Sequence, residues 1–597
     1  MNKIYLSILF IVLLISPLGA TNYYVDSILG DDSNNGLSIQ HPWKSLEKVN
    51  NTEFLPGDSI LFRKKGIWSG GLDIYSRGVS ENPIVFSAYG TGEKPLIQGN
   101  GKVQAPIFIH NSASFVTING FAVTNFDSLN VFDGAEDVRC GIQIGEWSGA
   151  LKQVQILNNE VYFIEGCSNH SVVGSPRGTS LDPEYHNLYQ NAGIFCHASS
   201  IDSLIISGNY VHDCTCTGIF AFQFETATNL LIRQNSVYNV GSDGIVILHA
   251  KDPLVELNAC IKAGNNSGAS PRGPDEIGSN GLAVAGIWSF GCSDPVFQYN
   301  YCEATKRITW DGQAWDFDLE TTGKAVYQFN YSRDNEGGFN LGGMPNQVFR
   351  YNISYNDGAK QGNAQYFFNN SPTYYNNVFY RTDKKGFLFS EIHPQSFINN
   401  IFITNATTNI NYQDEQHDFS NNCFYGHTPI KPGADPVLAD PLLLEPTSMG
   451  KIPPGTFLTV EDLREAVYGL QLKPGSPCIN AGSEIPDYSG VDFWGNAVPK
   501  SRTDIGANEF ASHQSSIHNQ FVKGSNISIY PNPAKDQFTI QMENDASLES
   551  VMVYNMVGNL LISSKGPIIG TSSLSRGLYI VKVSANHCQA SKKLLIE

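Results

Sequence analysis

Asn-Tyr at 330–331, Asn-Ile at 352–353 and Asn-Val at 377–378 are three copies of one repeat, an Asn followed by a short apolar or aromatic run. Further copies begin at Asn119, Asn159, Asn209, Asn235, Asn300, Asn400 and Asn422. Several copies lie 22–26 residues apart. The longer intervals fit a coil with an inserted loop, or two coils of which one has lost its Asn. A fixed period of this length is typical of a repeat architecture.

The repeat predicts a parallel β-solenoid. Its apolar runs are three to five residues long, and almost none of them has helical periodicity. Each coil then needs about three short strands and three bends. Asn suits a bend because it tolerates the left-handed region, and its amide can bond to the same amide one coil away. The Leu-x-x-Leu-x-Leu spacing of a leucine-rich repeat is absent from the sequence.

Charge excludes two classes of partner. The chain carries 38 Lys and Arg against 56 Asp and Glu, which gives a net charge of −18. Residues 21–525 alone have a net charge of −20, because the two ends of the chain are slightly positive. Such an acidic surface argues against nucleic acid, whose phosphates need Lys and Arg. It argues equally against anionic membrane surfaces. We therefore expect a protein without nucleic-acid partners and without membrane insertion after processing.

The ends of the chain differ from its middle. Residues 1–20 have a basic start, an apolar run from Ile4 to Ile15 and a small residue at Ala20, as in a signal peptide. Residues 42–49 predict a short helix that covers the first coil, Thr459 predicts the N-cap of another helix, and 504–510 predicts a closing strand. The predicted organisation is a signal peptide at 1–20, a solenoid at 21–510, a linker at 511–525 and a small β-sandwich-like unit at 526–597.

The last unit resembles a known sorting domain. Four segments carry the resemblance, in order: Ile529-Tyr-Pro-Asn-Pro-Ala534, Val553-Tyr-Asn-Met-Val-Gly558, Leu574-Ser-Arg-Gly-Leu-Tyr579 and Lys592-Lys-Leu594. They are similar to the C-terminal sorting domain of the type IX secretion system. The resemblance implies the type IX machinery as a partner, and a secreted or outer-membrane surface location.

The front of the chain resembles secreted right-handed parallel β-helix proteins of the pectate-lyase-like superfamily. The similar stretches are Tyr23–Asp26, Gly30–Asp32, Asn35-Gly36, Pro42–Leu46, Gly57–Phe62 and Ala88–Gly90. The resemblance spans roughly 22–510 and implies an all-β fold, a right-handed parallel β-helix, acting on polysaccharide. It leaves the chemistry open, since one fold hosts lyases, hydrolases and non-enzymes.

Strand alternation identifies the candidate catalytic pair, Asp316 and Asp318. Aligned coils predict an inward stack of Ile194, Ile219, Ile245, Ile287, Trp315 and Phe339. Asp316 and Asp318 then point outward, beside Trp288 on one coil and Asn340 on the next. Carboxylates at i and i+2 lie roughly 7 Å apart, within the range of about 6.5–9.5 Å associated with inverting glycosidases.

Further residues complete the predicted site. The segment from Asp311-Gly312 to Asp318 resembles a recurrent motif of bacterial carbohydrate-active β-helix proteins, some of which place an Asp on one coil and a Glu one coil later. Here Asn340 takes the second position, so Glu336 is the nearest replacement. Asp316 or Asp318 would activate water, and the partner or Glu336 would protonate the leaving oxygen. The predicted substrate-binding residues are Trp288, Asn340, Trp310, Arg333, His197 and His249.

Two other functions fit the same residues. A polysaccharide lyase would use Lys324 or Arg333 as base, with Asp316, Asp318 and Glu320 binding Ca²⁺. The acidic domain repels polyuronates, which favours hydrolysis, for which no cofactor is required. A non-catalytic glycan-binding surface protein is the third alternative. The sequence thus predicts a secreted polysaccharide-degrading enzyme, foremost a glycoside hydrolase.

Overall fold

The computed structural model divides the chain into two compact units, Met1–Phe510 and Ala511–Glu597. The residues it describes are 19–126, 139–146, 148–165, 191–221, 226–265, 283–307, 310–318, 320–342, 346–358, 366–368, 372–383, 387–389, 395–405, 417–426, 431–485, 489–510, 527–542, 548–555, 560–572, 574, 577–585 and 588–596. The predicted signal peptide up to residue 18 and the linker at 511–525 lie outside these ranges.

Three long parallel sheets form the first unit. Sheet A contains β1 (Asn22–Val25), β2 (Ser59–Arg63), β5 (Ile84–Tyr89), β8 (Val116–Asn119), β11 (Ala150–Leu157), β14 (Ser200–Ser207), β17 (Thr226–Arg233), β20 (Leu254–Glu256), β24 (Val296–Gln298), β28 (Ala325–Gln328), β31 (Gln347–Arg350), β34 (Thr373–Tyr375), β37 (Ser396–Ile398) and β39 (Asp418–Ser420). Sheet B contains β3 (Ile67–Ser69), β6 (Leu96–Gln98), β9 (Ala122–Asn125), β12 (Glu160–Ile164), β15 (Tyr210–Cys214), β18 (Ser236–Val240), β21 (Ala259–Ile261), β25 (Tyr301–Glu303), β29 (Tyr331–Arg333), β32 (Ile353–Tyr355), β35 (Val378–Arg381), β38 (Ile401–Thr404) and β40 (Cys423–Tyr425).

Sheet C closes each coil. Its strands are β4 (Leu72–Ile74), β7 (Ile107–Ile109), β10 (Ile142–Ile144), β13 (Ala192–Cys196), β16 (Thr217–Ala221), β19 (Ile245–Leu248), β23 (Ile287–Phe290), β27 (Gln313–Phe317), β30 (Gly338–Gly342), β33 (Tyr366–Phe368) and β36 (Leu388–Phe389). A two-stranded sheet pairs β22 (Ala283–Val284) with β26 (Trp310–Asp311). Because each strand pairs in parallel with its counterpart one coil away, the unit is a parallel β-helix, and the predicted fold class is confirmed.

A ladder of buried Asn side chains runs along this β-helix. Each ladder Asn except the last donates from its backbone N–H and its Nδ2 to the Oδ1 of the next, at 2.8–3.1 Å. Its members are Asn159, Asn209, Asn235, Asn258, Asn300, Asn330, Asn352, Asn377, Asn400 and Asn422. The predicted amide stacking is confirmed, and Asn258 is the copy that the sequence comparison missed between Asn235 and Asn300.

The left-handed bend falls one residue earlier than the sequence suggested. Tyr299, Phe329 and Asn376 each have φ between 54° and 57°, and each precedes a ladder Asn. The preceding residue therefore makes the turn, while the Asn supplies the hydrogen bonds. This division of roles explains why even aromatic residues stand at the bend.

The interior of the β-helix is apolar and layered. Ile194, Ile219, Ile245, Ile287 and Trp315 pair in register across sheet C and are fully buried in the main core, as predicted. Phe339 is also buried in this core, but the predicted pairing of Phe339 with Trp315 was wrong. Trp315 pairs with Asn340, because the β27–β30 register runs from Gln313 opposite Gly338.

A short helix covers the first coil. Helix α1 spans Leu46–Asn50, and the Ser45 side chain caps it by accepting the Lys48 backbone N–H. Leu46 and Val49 are buried in the same core as the first strands, together with Trp43. The predicted N-terminal cover is therefore present, and its apolar side faces the interior.

Residues 431–510, which we call the return segment, pack along the outer face of sheet B. Helix α2 (Val460–Ala466), with Thr459 as N-cap, and a 3₁₀ turn (Tyr468–Leu470) lie in it. Its apolar residues bury Tyr301, Tyr331 and Ile353 of sheet B in a second core. Residues 504–510 form no strand, contrary to the prediction, because their polar groups bond to irregular neighbours such as Asn399.

Buried carboxylates make the stability of the return segment depend on pH. Burial, and then the neighbouring Asp504 charge, raises the pKa of Glu509 from 4.5 to about 9. The folded state therefore keeps a proton that the unfolded chain releases, so stability falls as pH rises from about 4.5 to about 9. We expect Glu509→Gln to raise Tm at about pH 8 by about 2–4 °C, and to leave it unchanged near pH 4.5. The exposed Glu484→Gln is the control, and equal Tm shifts for both variants at pH 8 would contradict the assignment.

The second unit is antiparallel. One sheet contains β41 (Ile527–Tyr530), β42 (Gln537–Met542) and β45 (Ile568–Gly570). The other contains β43 (Leu548–Asn555), β44 (Leu560–Ser564), β46 (Gly577–Ala585) and β47 (Cys588–Ile596). Residues from both sheets share one apolar core. Across both units, none of the described helices has the length and apolar character needed to span a bilayer.

Candidate active site

The outer face of sheet C carries two parallel rows of side chains. The first row, in register, is Asp73, Phe108, Gln143, Phe195, Phe220, Val246, Trp288 and Asp316. The second row lies two residues further along each strand, and includes Tyr75, His110, His197, Leu248, Phe290 and Asp318. Because alternate strand residues face the same side, both rows point away from the core.

Asp316 faces outward, yet it is only 6% exposed. It stands between Trp315 and Phe317, which both point into the core. Its Oδ1 has no hydrogen-bond partner among the described residues. Burial, followed by the charges of Asp318, Asp311 and Asp243, raises the pKa of Asp316 well above its usual range. Asp316 is therefore a carboxyl group that tends to hold a proton.

Asp318 and Asp311 remain half-buried and lie at the two ends of β27. Asp318 follows the strand, and its backbone N–H donates to Ser289 at 2.9 Å. Asp311 precedes it in a left-handed turn, with φ of 58° followed by 90° at Gly312. A Cβ at Gly312 would lie 2.8–2.9 Å from Arg307 and from the Gly337 nitrogen, so this turn needs glycine. Both carboxylates thus lie beside the buried Asp316 and reach solvent.

Trp288 lies next to Asp316 in the first row and is held by a residue that the sequence analysis missed. Its Nε1–H donates to Oδ1 of Asp243 at 3.0 Å, and the same oxygen accepts the Ala285 N–H at 2.8 Å. Burial raises the pKa of Asp243 to about 6. In sequence, Asp243 looks like any bend residue before a strand, so nothing distinguished it. Trp288 itself is partly exposed, as the sequence predicted.

Glu336 is engaged in an ion pair. Its carboxylate accepts from Lys306 Nζ at 3.0 Å and from the Arg307 backbone N–H at 2.9 Å. It lies two residues before β30, level with the turn at Asp311, since Gly337 donates to Gly312 at 2.8 Å. Glu336 therefore fixes the segment that leads into Asp311, and an acid role would require this ion pair to open.

Asn340 is not on the outer face, contrary to the prediction. Its side chain is fully buried, and its Nδ2 donates to the Tyr374 hydroxyl at 3.0 Å in the core. The register explains the difference, because Asp316 pairs with Leu341 rather than with Asn340. Asn340 is thus a core residue that occupies the layer of Trp315.

Arg333 lies in β29 of sheet B, and not on the outer face of sheet C that carries Asp316. It is buried on the outer face of sheet B, and its Nη1 donates to the backbone oxygen of Gly450 at 2.9 Å and of Met449 at 3.2 Å. Its Nε donates to Asp334 at 3.0 Å. Arg333 therefore binds the return segment. It does not lie where the lyase hypothesis would need a base. Lys324 is exposed in a turn, where its backbone bonds to Asp294.

The remaining predicted residues are scattered. His197 lies in the second row, stacked on Phe195 with centroids 5.0 Å apart. His249 follows that row in a left-handed bend against Phe290, and burial lowers its pKa. Trp310 begins the outer strand β26, but its side chain lies outside the described residues. Glu320 is exposed in a turn.

A calcium site finds no support in this geometry. Among the described residues, no three His, Cys, Asp or Glu side chains converge as metal ligands would. Asp316 is too buried to share an ion with the exposed Glu320. The polar groups that do converge on this face are the carboxylates around Asp316 and the indole N–H of Trp288.

Comparison with known proteins identifies the second unit. Residues 528–597 match the family described as the secretion system C-terminal sorting domain. The C-terminal unit is thus similar to this sorting domain over residues 528–597. The predicted export to the cell surface or the extracellular space is confirmed.

The β-helix is similar to two lacto-N-biosidases. The chain is 28% identical over 592 aligned residues to the lacto-N-biosidase of Bifidobacterium longum subsp. longum, with 82% of this chain and 36% of that protein covered. It thus spans about a third of the length of that relative. The crystal structure of the GH136 lacto-N-biosidase from Eubacterium ramulus matches with a TM-score of 0.51 and 22% identity, covering 70% of this chain and 68% of that one. The selenomethionine derivative of that enzyme matches with a TM-score of 0.50. These structures support the fold.

Proposed function

We propose that this protein is a secreted glycoside hydrolase whose reaction takes place at the carboxylates around β27. One observation carries the proposal: two half-buried carboxylates, Asp311 and Asp318, flank the buried, proton-holding Asp316 on the outer face of sheet C. Glycoside hydrolysis requires two such groups on either side of the scissile bond. The 28% identity to a lacto-N-biosidase supports the same reaction class.

Exposure divides the roles among the three aspartates. A catalytic carboxyl must touch the substrate, and Asp318 and Asp311 keep the exposure for this, whereas Asp316 does not. We therefore keep Asp318 from the sequence prediction and pair it with Asp311. One of the two protonates the leaving oxygen, and the other acts as the ionised partner. Asp316 is a positioning residue, because burial raises its pKa, and a carboxyl that holds its proton adds no third negative charge between Asp311 and Asp318.

The surroundings favour an uncharged sugar. The partly exposed Trp288, held by Asp243, offers an apolar ring face beside the carboxylates, as pyranose rings require. The charge of −20 on residues 21–525 disfavours polyuronates. We propose a neutral oligosaccharide that carries lacto-N-biose at its non-reducing end as the first substrate to test. Hydrolysis of this kind needs no metal ion.

The test is a turnover assay of the mature chain with lacto-N-tetraose and a chromogenic lacto-N-bioside. We expect disaccharide release that a chelator does not change, and no ultraviolet-absorbing unsaturated uronate from pectic or alginate substrates. Unsaturated products would support the lyase alternative. Glycan binding without turnover of any neutral substrate would support the non-catalytic alternative, and either result would overturn the proposal.

A further inference from the structure

Three aromatic rings form a stack at the far end of the same outer face. The His110 ring lies between Tyr75 and Phe108, with centroids 4.1 Å and 3.9 Å away and interplanar angles of 11° and 22°. Asp73 and Phe108 pair across β4 and β7, and Tyr75 and His110 follow two residues later on the same face. The stack therefore continues the two rows that lead to Asp316 and Asp318.

Two carboxylates fix the central ring of the stack. His110 Nε2 lies 2.9 Å from Asp73 Oδ1, and its Nδ1 lies 3.3 Å from Glu146 Oε1. With both nitrogens engaged and both faces covered, His110 serves as a rigid support for Tyr75. An immobile ring loses little conformational entropy on binding a ligand, which favours recognition.

Tyr75 is 54% exposed although its ring is held. One ring face lies on His110. Among the described residues, β4 is the last strand of sheet C, and no further strand of that sheet covers the opposite face. An exposed aromatic face that is held rigid can pack on the apolar C–H groups of a ligand.

A cavity of about 550 Å³ adjoins this ring. It lies between the end of α1 with the residues that follow it and the end of β4, and it falls in the size range of small-molecule sites. Its polar lining includes Asn50, Asn51, Thr52, Asp73 and Arg77, alongside Tyr75. Asn50, Thr52 and Asp73 are bonded within the protein, whereas the lining side chains of Asn51, Glu53 and Arg77 are exposed. These exposed polar groups can form hydrogen bonds with ligand hydroxyl groups while the Tyr75 ring packs on apolar C–H groups.

We propose that this cavity and the Tyr75 face form a separate, non-catalytic binding site for a neutral oligosaccharide. Seven strand steps of about 4.8 Å separate β4 from β27, so the site lies roughly 34 Å from Asp316. The carboxylates of Asp73, Glu53 and Glu146 outnumber the Arg77 guanidinium around it, which disfavours an acidic sugar. The site does not depend on the proposed hydrolysis.

The experiment is a calorimetric titration of the full chain carrying Asp318→Asn, which slows turnover strongly, with lacto-N-tetraose, xylotetraose and cellotetraose. We expect at least one of them to occupy a site that Tyr75→Ala weakens by at least about tenfold. Tyr468→Ala, which removes another exposed ring (43%) from the return segment, is the matched control and should bind as the parent does. Asp73→Asn, which keeps the size of the side chain, should weaken the same site.

Two outcomes would overturn the proposal. One is that Tyr75→Ala and Tyr468→Ala bind all three tetrasaccharides as the parent does. The other is that Tyr75→Ala, made in the chain with Asp318 intact, slows hydrolysis of a small chromogenic substrate, since a separate site leaves that reaction unchanged. Because the titration measures binding rather than turnover, it decides the matter even if the chain hydrolyses nothing.

Discussion

We expect Asp318→Asn to lower kcat for glycoside hydrolysis by about 10²–10⁴-fold, the range for loss of a positioned acid or base. The substitution keeps the size of the side chain and removes only its charge and its proton chemistry. Because Asp318 is half-buried at the end of β27, the fold should persist, with Tm close to that of the parent. Steady-state kinetics on a chromogenic glycoside measure the effect.

A set of variants separates the three aspartates. Asp311→Asn should cost as much activity as Asp318→Asn, whereas Asp316→Asn should cost less and should shift the pH profile, since its buried proton acts on both neighbours. Asp252→Asn, exposed in a turn after β19, is the control and should keep parental kcat. Loss of all turnover in Asp316→Asn with near-parental turnover in Asp311→Asn would show that Asp311 is the wrong partner.

Asn300→Ala should reduce the free energy of unfolding by about 3–5 kcal/mol, because it leaves several buried polar groups without partners. Asn300 Oδ1 accepts the backbone N–H and the Nδ2 of Asn258, both at 3.0 Å. Its Nδ2 donates to Asn330 Oδ1 at 3.0 Å and to the Val255 oxygen at 2.9 Å. Truncation interrupts the ladder in the middle of the β-helix.

Urea unfolding followed by circular dichroism measures this loss as a shift of the midpoint at constant slope. The exposed Asn82→Ala is the control and should change stability by less than about 0.5 kcal/mol. If the Asn300 and Asn82 variants unfold at the same urea concentration, the ladder hydrogen bonds of Asn300 do not contribute to the free energy of unfolding, and the prediction is wrong. Asn300→Asp is a further check, since it restores the acceptor but not the donors and should remain destabilised.

The fold could be predicted because its determinant is local and repeated. A buried Asn beside a bend needs only its own kind one coil away, so spacing along the chain is sufficient evidence. Asn258 was missed although the apolar run Ala259-Cys260-Ile261 follows it, and the interval from Asn235 to Asn300 therefore looked like one long gap. The outward direction of Asp316 and Trp288 followed from the same alternation.

The details of the site could not be predicted, because they depend on distant chain. Arg333 looked like a site residue until the return segment, 116 and 117 residues further on, proved to lie over it. The burial of Asp316, which changes its role, is set by packing above the sheet that alternation does not encode. A one-residue change of register between β27 and β30 moved Asn340 from the surface to the core. Asp243 bonds to Trp288 from 45 residues away.

The spacing of the Asn ladder is independent of coil length. Asn159 and Asn209 are separated by 50 positions and Asn330 and Asn352 by 22, yet the Nδ2–Oδ1 distance is 3.0 Å in both cases. Extra chain can thus be inserted between two rungs without disturbing the scaffold. In such an architecture, loops can gain or lose residues while the β-helix itself is unchanged. The β-helix is therefore a suitable scaffold for exchanging specificity loops by design.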